Sequence, residues 1–346
     1  MFVSVVMPIH NGQPFVREAV ASVLAQTHRD LELVAVDDGS SDDTPAILQE
    51  FAAADPRVRV VAQARGGIAR ARNRALREAR AEWVVNLDHD DVMLPTRVER
   101  QIAFIGTHPD VKVFSSRGYY INAAGTIFGK TKCEPITTRE AFERYYATNQ
   151  PIGINQSAAA MHRPTVLAVG GYRSQFDAVE DIDLWNRLTE RGHLVLQQEE
   201  VLIKYRIHGS SVTASRTRQS WQKAAWAVAC MEARRAGRSE PSWEEHRANL
   251  RGQPWWRRVQ RERQLLACVN YRMAGCDVAN RRWAPAIGHL LIASASSPSY
   301  VAGRLVKQLH LPGLRARAGS KADIPPTWGA PRSTAARTAG SQSGEG

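Results

Sequence analysis

The densest group of chemically reactive side chains lies in residues 84–95, VVNLDHDDVMLP, where carboxylates follow an apolar run. Residues at i and i+2 of an extended segment point to the same side, roughly 7 Å apart. Asp88 and Asp90 therefore share a face, and their charges repel each other unless a cation or a proton relieves them. One interpretation is a divalent ion held by one or two carboxylates and substrate phosphates. The other is a solvated acidic turn, with Asp91 capping a helix that begins near Pro95.

The residues that must position these carboxylates alternate strand-like with helix-like segments. FVSVVMP, LELVAVDD, RVRVVAQ and EWVVNLD have strand character, and PFVREAVASVLAQ, TPAILQEFAAA and GIARARNRALREA separate them. This alternation predicts an α/β fold with a parallel sheet. Residues 31–36 and 83–87 are almost continuously apolar, as strands buried on both faces must be.

Carboxylates, rather than glycine-rich phosphate loops, follow the predicted strands. Asp37 and Asp38 end the second strand, and the segment MPIHNGQP after the first strand lacks the GxGxxG pattern. The P-loop pattern GxxxxGK[ST] is also missing from the sequence. In open α/β sheets ligands bind beyond the carboxyl ends of the strands, where these acids stand. The missing loops exclude a P-loop protein and weaken a Rossmann oxidoreductase, which stays open as an alternative.

Five segments of the chain resemble the family 2 glycosyltransferases, and they occur in that family's order. They are VSVVMPIHNG, LELVAVDDGSSDDT, GGIARARNRAL, VNLDHDD and GGYRSQFDAVEDIDLWNRL, within residues 2–213. The resemblance implies a GT-A fold, in which helices flank a Rossmann-like, mostly parallel sheet. It also implies a nucleotide-sugar donor, most commonly a UDP-sugar, and transfer to a hydroxyl of a glycan or lipid-linked acceptor, as in cell-envelope polysaccharide biosynthesis.

The resemblance further implies which residues bind the donor. The matching positions are Pro8, Ile9, His10, Asp38, Gly67, Arg72 and Asn73. The first three would form the wall against the nucleobase, and Asp38 would accept hydrogen bonds from the base or ribose. Gly67 would let the backbone turn closely, and Arg72 and Asn73 would lie near the nucleotide, where the arginine fork suits a phosphate. A turn-forming role for Asp38 and a solvated role for Arg72 are the structural alternatives.

The metal site implied by the resemblance is the DxD motif in LDHDD. Asp88 would contact the ribose and the metal, and Asp90 would bind the metal, Mg²⁺ or Mn²⁺, directly. His208, in YRIHGSSVT, would reach the metal or the diphosphate. A purely structural histidine is the alternative at that position.

The implied general base is Asp181, in the segment VEDIDLW, with Glu180 orienting the acceptor or the base. Asp181 would deprotonate the acceptor hydroxyl, and the diphosphate would leave from the opposite face, so the reaction would invert the anomeric carbon. The alternative is that Asp181 merely caps the helix that starts there.

Composition places the chain among ordinary globular proteins. Its 346 residues are 43% hydrophobic and 23% charged. Cys133, Cys230, Cys268 and Cys276 form no CxxC pair or metal-ligand spacing, which predicts reduced thiols. The N-terminal segment MFVSVVMPIH resembles neither a signal peptide nor a membrane span, so we expect a cytoplasmic protein.

Positive charge is concentrated in the last third of the chain and suggests three regions. Residues 1–214, with 24 Lys+Arg against 26 Asp+Glu, match the glycosyltransferase domain. Residues 215–313 form a basic, tryptophan-rich region expected to be helical, and residues 314–346 are expected to be disordered. The basic region predicts an anionic membrane surface at the inner face of the cytoplasmic membrane, or a helical subdomain that packs its tryptophans on the catalytic domain. No nucleic acid is expected, because no recognition motif accompanies the charge.

Overall fold

The computed structural model describes residues 1–132, 134–208 and 217–308. The strands are β1 (Val3–Ile9), β2 (Leu31–Asp38), β3 (Val58–Gln63), β4 (Trp83–Asn86), β5 (Val92–Met93), β6 (Val111–Ile121), β7 (Ile127–Lys130), β8 (Ala160–His162) and β9 (Leu194–Arg206). The helices of the first 208 residues are α1 (Val16–Leu24), α2 (Thr44–Ala54), α3 (Ile68–Glu78), α4 (Arg97–Thr107), α5 (Arg139–Tyr146), α6 (Arg163–Ala168) and α7 (Glu180–Glu190). Five more follow: α8 (Thr217–Arg235), α9 (Trp243–Gly252), α10 (Trp255–Ala279), α11 (Trp283–Ser296) and α12 (Pro298–Gln308).

The strands form one sheet in the order β3-β2-β1-β4-β8-β6-β9-β5, with β7 added as a hairpin on β6. The pairs β3-β2, β2-β1 and β1-β4 are parallel, which confirms the parallel sheet predicted for the first hundred residues. Beyond β4 the sheet is mixed, because β8 runs antiparallel to β4 and β6, whereas β9 runs parallel to β6.

Burial follows the apolar pattern of the strands. Every residue of β2 and β4 is buried, as the apolar runs at 31–36 and 83–87 predicted, and every residue of β1 is buried too. Parallel pairing aligns Ile9 with Asp37 and Asp38 with Gln63, so the carboxyl ends of β1, β2 and β3 meet at one edge. The carboxylates at the ends of β2 and β4 are thereby brought to the same side of the sheet.

Helix α8 packs against α7 and the segment that precedes it. Trp226 of α8 contacts Phe176, their ring centroids 4.4 Å apart, and its indole N–H donates to the carbonyl of Pro241 at 2.7 Å. Ion pairs add to this contact. Arg234 of α8 pairs with Glu190 and Glu240, and Arg173 pairs with Asp183 and with the same Glu240. The helical character predicted for residues 215–313 is confirmed over the described part. In that part of the chain we find no helix both long and apolar enough to cross a bilayer.

The predicted tail at 314–346, the proposed boundary at residues 214 and 215, and Cys133 lie outside the described residues. Of the other cysteines, Cys230 and Cys268 are buried and Cys276 is partly exposed, all as free thiols. Burial raises the pKa of the Cys230 thiol to about 12, as expected of an unreactive structural cysteine.

Candidate active site

Asp38, at the end of β2, organises the loop that leads into α3. Its Oδ1 accepts hydrogen bonds from the Gln63 side chain and the Gly66 amide, both at 2.7 Å, and its Oδ2 accepts from the Gly67 amide at 2.9 Å. The carboxylate is 4% exposed. Asp38 therefore orders the loop before α3 and not the DDGSSDD turn, and the predicted contact to a base or ribose, which would use its remaining lone pairs, stays a prediction.

The predicted nucleobase wall lies beside this loop. Pro8 is buried and Ile9 is 1% exposed within the hydrophobic core, and their predicted contact with the nucleobase stays a prediction. His10 is partly exposed, and its Nδ1 donates to the Asp38 carbonyl at 3.1 Å. The Arg65 guanidinium contacts the other ring nitrogen. His10 is thus the member of the predicted wall with an accessible side chain.

Asp177 anchors the N-terminus of α3, a role that the sequence interpretation missed. Its Oδ1 accepts from the Ala69 amide at 3.0 Å, across 108 residues of chain. Gly67 precedes that helix with φ +89° and ψ 163°, a region open almost solely to glycine. A Cβ at Gly67 would lie 2.6 Å from the Asp177 carboxylate. Position 67 thus requires glycine for both backbone and steric reasons.

Gly67→Ala should lower the free energy of unfolding by about 2 to 4 kcal/mol, the sum of backbone strain and displacement of Asp177. Gly170 is a matched control, because its φ is also positive, +88°, and nothing lies within 4 Å of a Cβ built there. Gly170→Ala should cost only about 1 to 2 kcal/mol. Urea unfolding of both variants measures the difference. Equal losses would mean that the Asp177 contact adds nothing.

Arg72 joins the two halves of the site. Its Nη2 donates to Asp88 Oδ1 at 3.0 Å, and its Nε lies 3.2 Å from Glu180 Oε1. The guanidinium is 5% exposed and lies over the Tyr172 ring, 5.7 Å from the centroid. Burial opposes the charge, but Asp88 and Glu180 outweigh it and raise the pKa of Arg72. Arg72 is therefore a buried, permanently charged bridge and not a solvated surface arginine.

Asn73, the neighbour of Arg72, is directed elsewhere. Its Nδ2 donates to the Tyr172 carbonyl at 2.7 Å, and its Oδ1 accepts from the Tyr172 amide at 2.9 Å. Both polar atoms of the side chain therefore fix the segment before α7. Asn73 therefore positions Tyr172, and its predicted place near the nucleotide stays a prediction.

Glu180 and Asp181 occupy the first turn of α7 and differ in accessibility. Glu180 is 4% exposed, and burial, opposed by Arg72 and reinforced by Asp181, raises its pKa to about 7. Asp181 is partly exposed, and its Oδ1 accepts from the Ile182 amide at 2.8 Å. Burial also raises the pKa of Asp181, with Arg72 opposing the shift. The helix N-cap is Val179, so capping does not account for Asp181.

The acidic turn, residues 88–91, contains the second group of carboxylates. The Asp88 amide donates to Ser157 Oγ at 3.0 Å, which fixes the turn against the short 3₁₀-helix at Gln156–Ala158. Asp90 Oδ2 lies 2.9 Å from His208 Nε2, and the His208 ring stacks at a tilt on Phe15, 4.7 Å between centroids. The predicted partners Asp90 and His208 are therefore brought together across 118 residues.

Arg206 fixes the acidic turn by hydrogen bonds, a role that the sequence did not predict. Its amide donates to Asp91 Oδ1 and its Nε donates to the Asp90 carbonyl, each at 2.8 Å. The side chain is 2% exposed, lies over the Phe15 ring and pairs with Glu18. Its place two residues before His208 could have indicated that it lies near the site, but not which residues it bonds.

A divalent cation fits the chemistry of the acidic turn. The side chains of Asp88 and Asp90 are 26% and 17% exposed, so hard oxygen ligands face the open side. Burial, with the charges of Asp90 and Asp88, raises the pKa of Asp91 well above its usual range. A cation bound nearby relieves such repulsion. Over the described ranges no three acidic, His or Cys side chains form a ready metal cage, so substrate phosphates would have to complete the ligand set.

A buried arginine lies behind the same turn. Arg97 is 0% exposed, and its Nη2 donates to the Asn86 carbonyl at 2.8 Å. Burial lowers its pKa to about 9, although Asp91 and Asp88 act in the opposite direction. The acidic turn therefore has positive charge on its inner side and open carboxylates on its outer side.

The site combines an acidic turn that suits a metal ion with a Glu-Asp pair at one edge of the sheet. This is the kind of site that a GT-A glycosyltransferase has, and comparison with known proteins agrees. The family model described as Glycosyl transferase family 2 matches residues 4–168. TuaG of Bacillus subtilis, provisionally named a teichuronic acid biosynthesis glycosyltransferase, is 30% identical over 230 residues, covering 65% of this chain and 86% of its own. The chain belongs to glycosyltransferase family 2, which decides the enzyme class against an oxidoreductase.

Other similarities extend the comparison. The uncharacterized protein y4gI of Sinorhizobium fredii is 32% identical over 250 residues. The aligned region covers 69% of this chain but only 26% of y4gI. Among solved structures, S. aureus TarS 1–349 with UDP-GlcNAc aligns with a TM-score of 0.54 at 15% identity, covering 88% and 92% of the two chains. The mannosyltransferase PcManGT from Pyrobaculum calidifontis, with GDP-Man and Mn²⁺, aligns at 0.51 and 18% identity, covering 91% and 82%. These structures confirm the GT-A fold.

Proposed function

We propose that this glycosyltransferase moves a sugar from a nucleoside diphosphate sugar, with UDP-sugars the first candidates, to an acceptor hydroxyl with inversion at the anomeric carbon. The observation that carries the proposal is the Arg72 bridge between Asp88 and Glu180. That bridge ties the acidic turn, which faces the donor phosphates, to the turn that bears the general base. The buried guanidinium of Arg72 therefore links the residues proposed to face the donor with those proposed to face the acceptor.

Asp181 is the general base in this mechanism. Its partial exposure lets an acceptor hydroxyl approach, whereas Glu180 is buried against Arg72. Asp181 takes the hydroxyl proton as the acceptor oxygen forms its bond to the anomeric carbon. The bond from that carbon to the diphosphate breaks on the opposite face, so configuration inverts without a covalent intermediate. Glu180 orients Arg72 and the first turn of α7.

Asp88, Asp90 and His208 would hold the divalent cation. When bound, Mg²⁺ or Mn²⁺ would neutralise negative charge on the leaving diphosphate. Asp88 is itself positioned by Arg72 and Ser157, and Asp90 by the His208 ring and Arg206. TarS with UDP-GlcNAc and PcManGT with GDP-Man and Mn²⁺ support a nucleotide-sugar donor and metal use.

A thermal-shift panel tests donor and metal together. The full chain is tested with UDP, UDP-GlcNAc, GDP and GDP-mannose, each with and without MnCl₂. We expect either the uridine or the guanosine ligands to stabilise it, and only when the metal is present. At a ligand concentration of a hundred times Kd the stabilisation is about 2.7 kcal/mol. Asp90→Asn should abolish the metal-dependent part.

Two results would contradict this proposal. An equal shift with NADH would indicate a general nucleotide site, and a shift by UDP or GDP that is unchanged in Asp90→Asn would place the metal elsewhere. Glu199→Gln, which neutralises an exposed carboxylate on β9, serves as the charge-matched control and should keep the wild-type response.

A further inference from the structure

Helix α11 is an uncharged helix whose large apolar side chains stay exposed in the part of the chain that the structure describes. Its 14 residues, WAPAIGHLLIASAS, include no Asp, Glu, Lys or Arg. Trp283, Ile287 and Leu291 are 61%, 59% and 65% exposed. A helix that is apolar around most of its circumference is ordinarily buried. Large, clustered apolar exposure of this kind marks an interaction surface.

The tryptophans of the basic region divide into two groups. Trp221 and Trp226 are 7% and 6% exposed and pack within the protein, as a helical subdomain requires. Trp255 and Trp256, at the start of α10, are 70% and 50% exposed. Trp226 packs on Phe176 of the catalytic domain and Trp221 packs on α10, whereas Trp255 and Trp256 remain exposed.

Helices α10 and α11 form an antiparallel hairpin. The Asn270 side chain of α10 bonds to His289 of α11 at 2.8 Å, and Arg263 Nε donates to the Ser296 carbonyl at 3.0 Å. Cys268 and Leu265 of α10 pack against Trp221 of α8, which connects the hairpin to the protein. Its exposed residues are thus presented on an ordered scaffold.

Cationic residues surround this apolar surface. Residues 253–308 contain nine Lys+Arg and two Asp+Glu. One of the two acids, Asp277, lies 3.5 Å from Arg282 and is compensated within the protein. Arg281 and Arg282 directly precede Trp283, and Arg257 and Arg258 directly follow Trp256. The hairpin therefore combines apolar and aromatic contact area with a net positive charge, because residues 255–296 contain seven Lys+Arg and two Asp+Glu.

We propose that α11 and the first turn of α10 dock on an anionic phospholipid bilayer. Interfacial helices bury Trp and Leu at the level of the headgroups and gain from anionic lipid through neighbouring arginines. At 1.5 Å per residue α11 is about 21 Å long, too short to cross the roughly 30 Å hydrocarbon core. It lies in the plane of the interface. A polyanion such as nucleic acid would use the arginines but gain nothing from Ile287 and Leu291.

Vesicle flotation of the full chain tests the proposal without any assay of sugar transfer, so it is independent of the proposed reaction. Vesicles of 3:1 phosphatidylcholine and phosphatidylglycerol should carry the protein, and pure phosphatidylcholine should bind it at least tenfold more weakly. The variant Ile287→Ser/Leu291→Ser should lose at least tenfold in binding to the anionic vesicles. Because both side chains are exposed, its melting temperature should stay unchanged.

The control is Ile127→Ser/Phe128→Ser, which removes two apolar residues of β7, 49% and 46% exposed, from the catalytic domain. It should float like the wild type. Flotation of the α11 variant at wild-type level would overturn the proposal. The proposal would also fail if the wild type formed a dimer and did not bind vesicles, and if the α11 variant were a monomer. A second copy of the chain would then cover α11.

Discussion

Asp181→Asn should reduce turnover by about 10²- to 10⁴-fold, the contribution of one positioned base. Binding of UDP with Mn²⁺ should remain within about twofold of the wild type, because the amide keeps the size of the carboxylate and its hydrogen bond from Ile182. Single-turnover rates and thermal shifts on the same preparations separate these effects. Full activity in this variant would mean that another residue takes the proton.

The pH dependence of the wild type supplies a second readout for Asp181. The raised pKa means that the base gains its proton at a higher pH than an ordinary aspartic acid. Activity should therefore fall as pH drops through that raised pKa, and the residual activity of Asp181→Asn should lack this acidic limb. Glu199→Gln, an exposed control, should keep both the rate and the profile.

Arg72→Met should lower the free energy of unfolding by about 3 to 5 kcal/mol, the usual cost of removing one partner from a buried ion pair. Glu180 loses its counter-ion while it remains buried, and Asp88 loses a hydrogen bond. Arg74→Met on the same helix is the control. Its side chain is 41% exposed and pairs with Glu78, so it should cost less than about 1 kcal/mol.

A double variant separates the structural from the catalytic role of Arg72. Arg72→Met/Glu180→Gln removes both buried charges and should regain most of the stability lost in the single variant. Sugar transfer should stay low, because Asp88 is no longer held by the bridge. Recovery of activity together with stability would show that Arg72 acts only as a structural counter-ion.

The sequence predicted the positions of strands and acids better than it predicted their partners. Continuous apolar runs locate β2 and β4, and parallel pairing then requires Asp38 and Asp88 to share an edge. The hydrogen bonds of Asp38 to the Gly66 and Gly67 amides depend on a backbone turn that no residue type specifies. The role of Asp38 in the loop therefore became clear only from the structure.

Contacts over long chain separations explain the remaining differences. Asn73 stands beside Arg72 in the motif, yet Arg72 turns to the acidic turn while Asn73 bonds Tyr172, 99 residues away. Arg206 bonds residues more than 80 positions earlier, and a strand arginine carries no local sign of such partners. The roles of Asp181, Asp90 and His208 in catalysis and metal binding stay predictions that the variants above test.

The ion-pair and aromatic contacts between α7 and α8 bear on how this enzyme can be engineered. Arg234 and Trp226 belong to the basic region, but they complete the surroundings of Asp183 and Phe176, which flank Asp181. A chimera that exchanges everything after residue 214 for the corresponding segment of a relative would therefore disturb the surroundings of the first turn of α7, which bears the proposed base. Donor affinity should survive such an exchange better than turnover does.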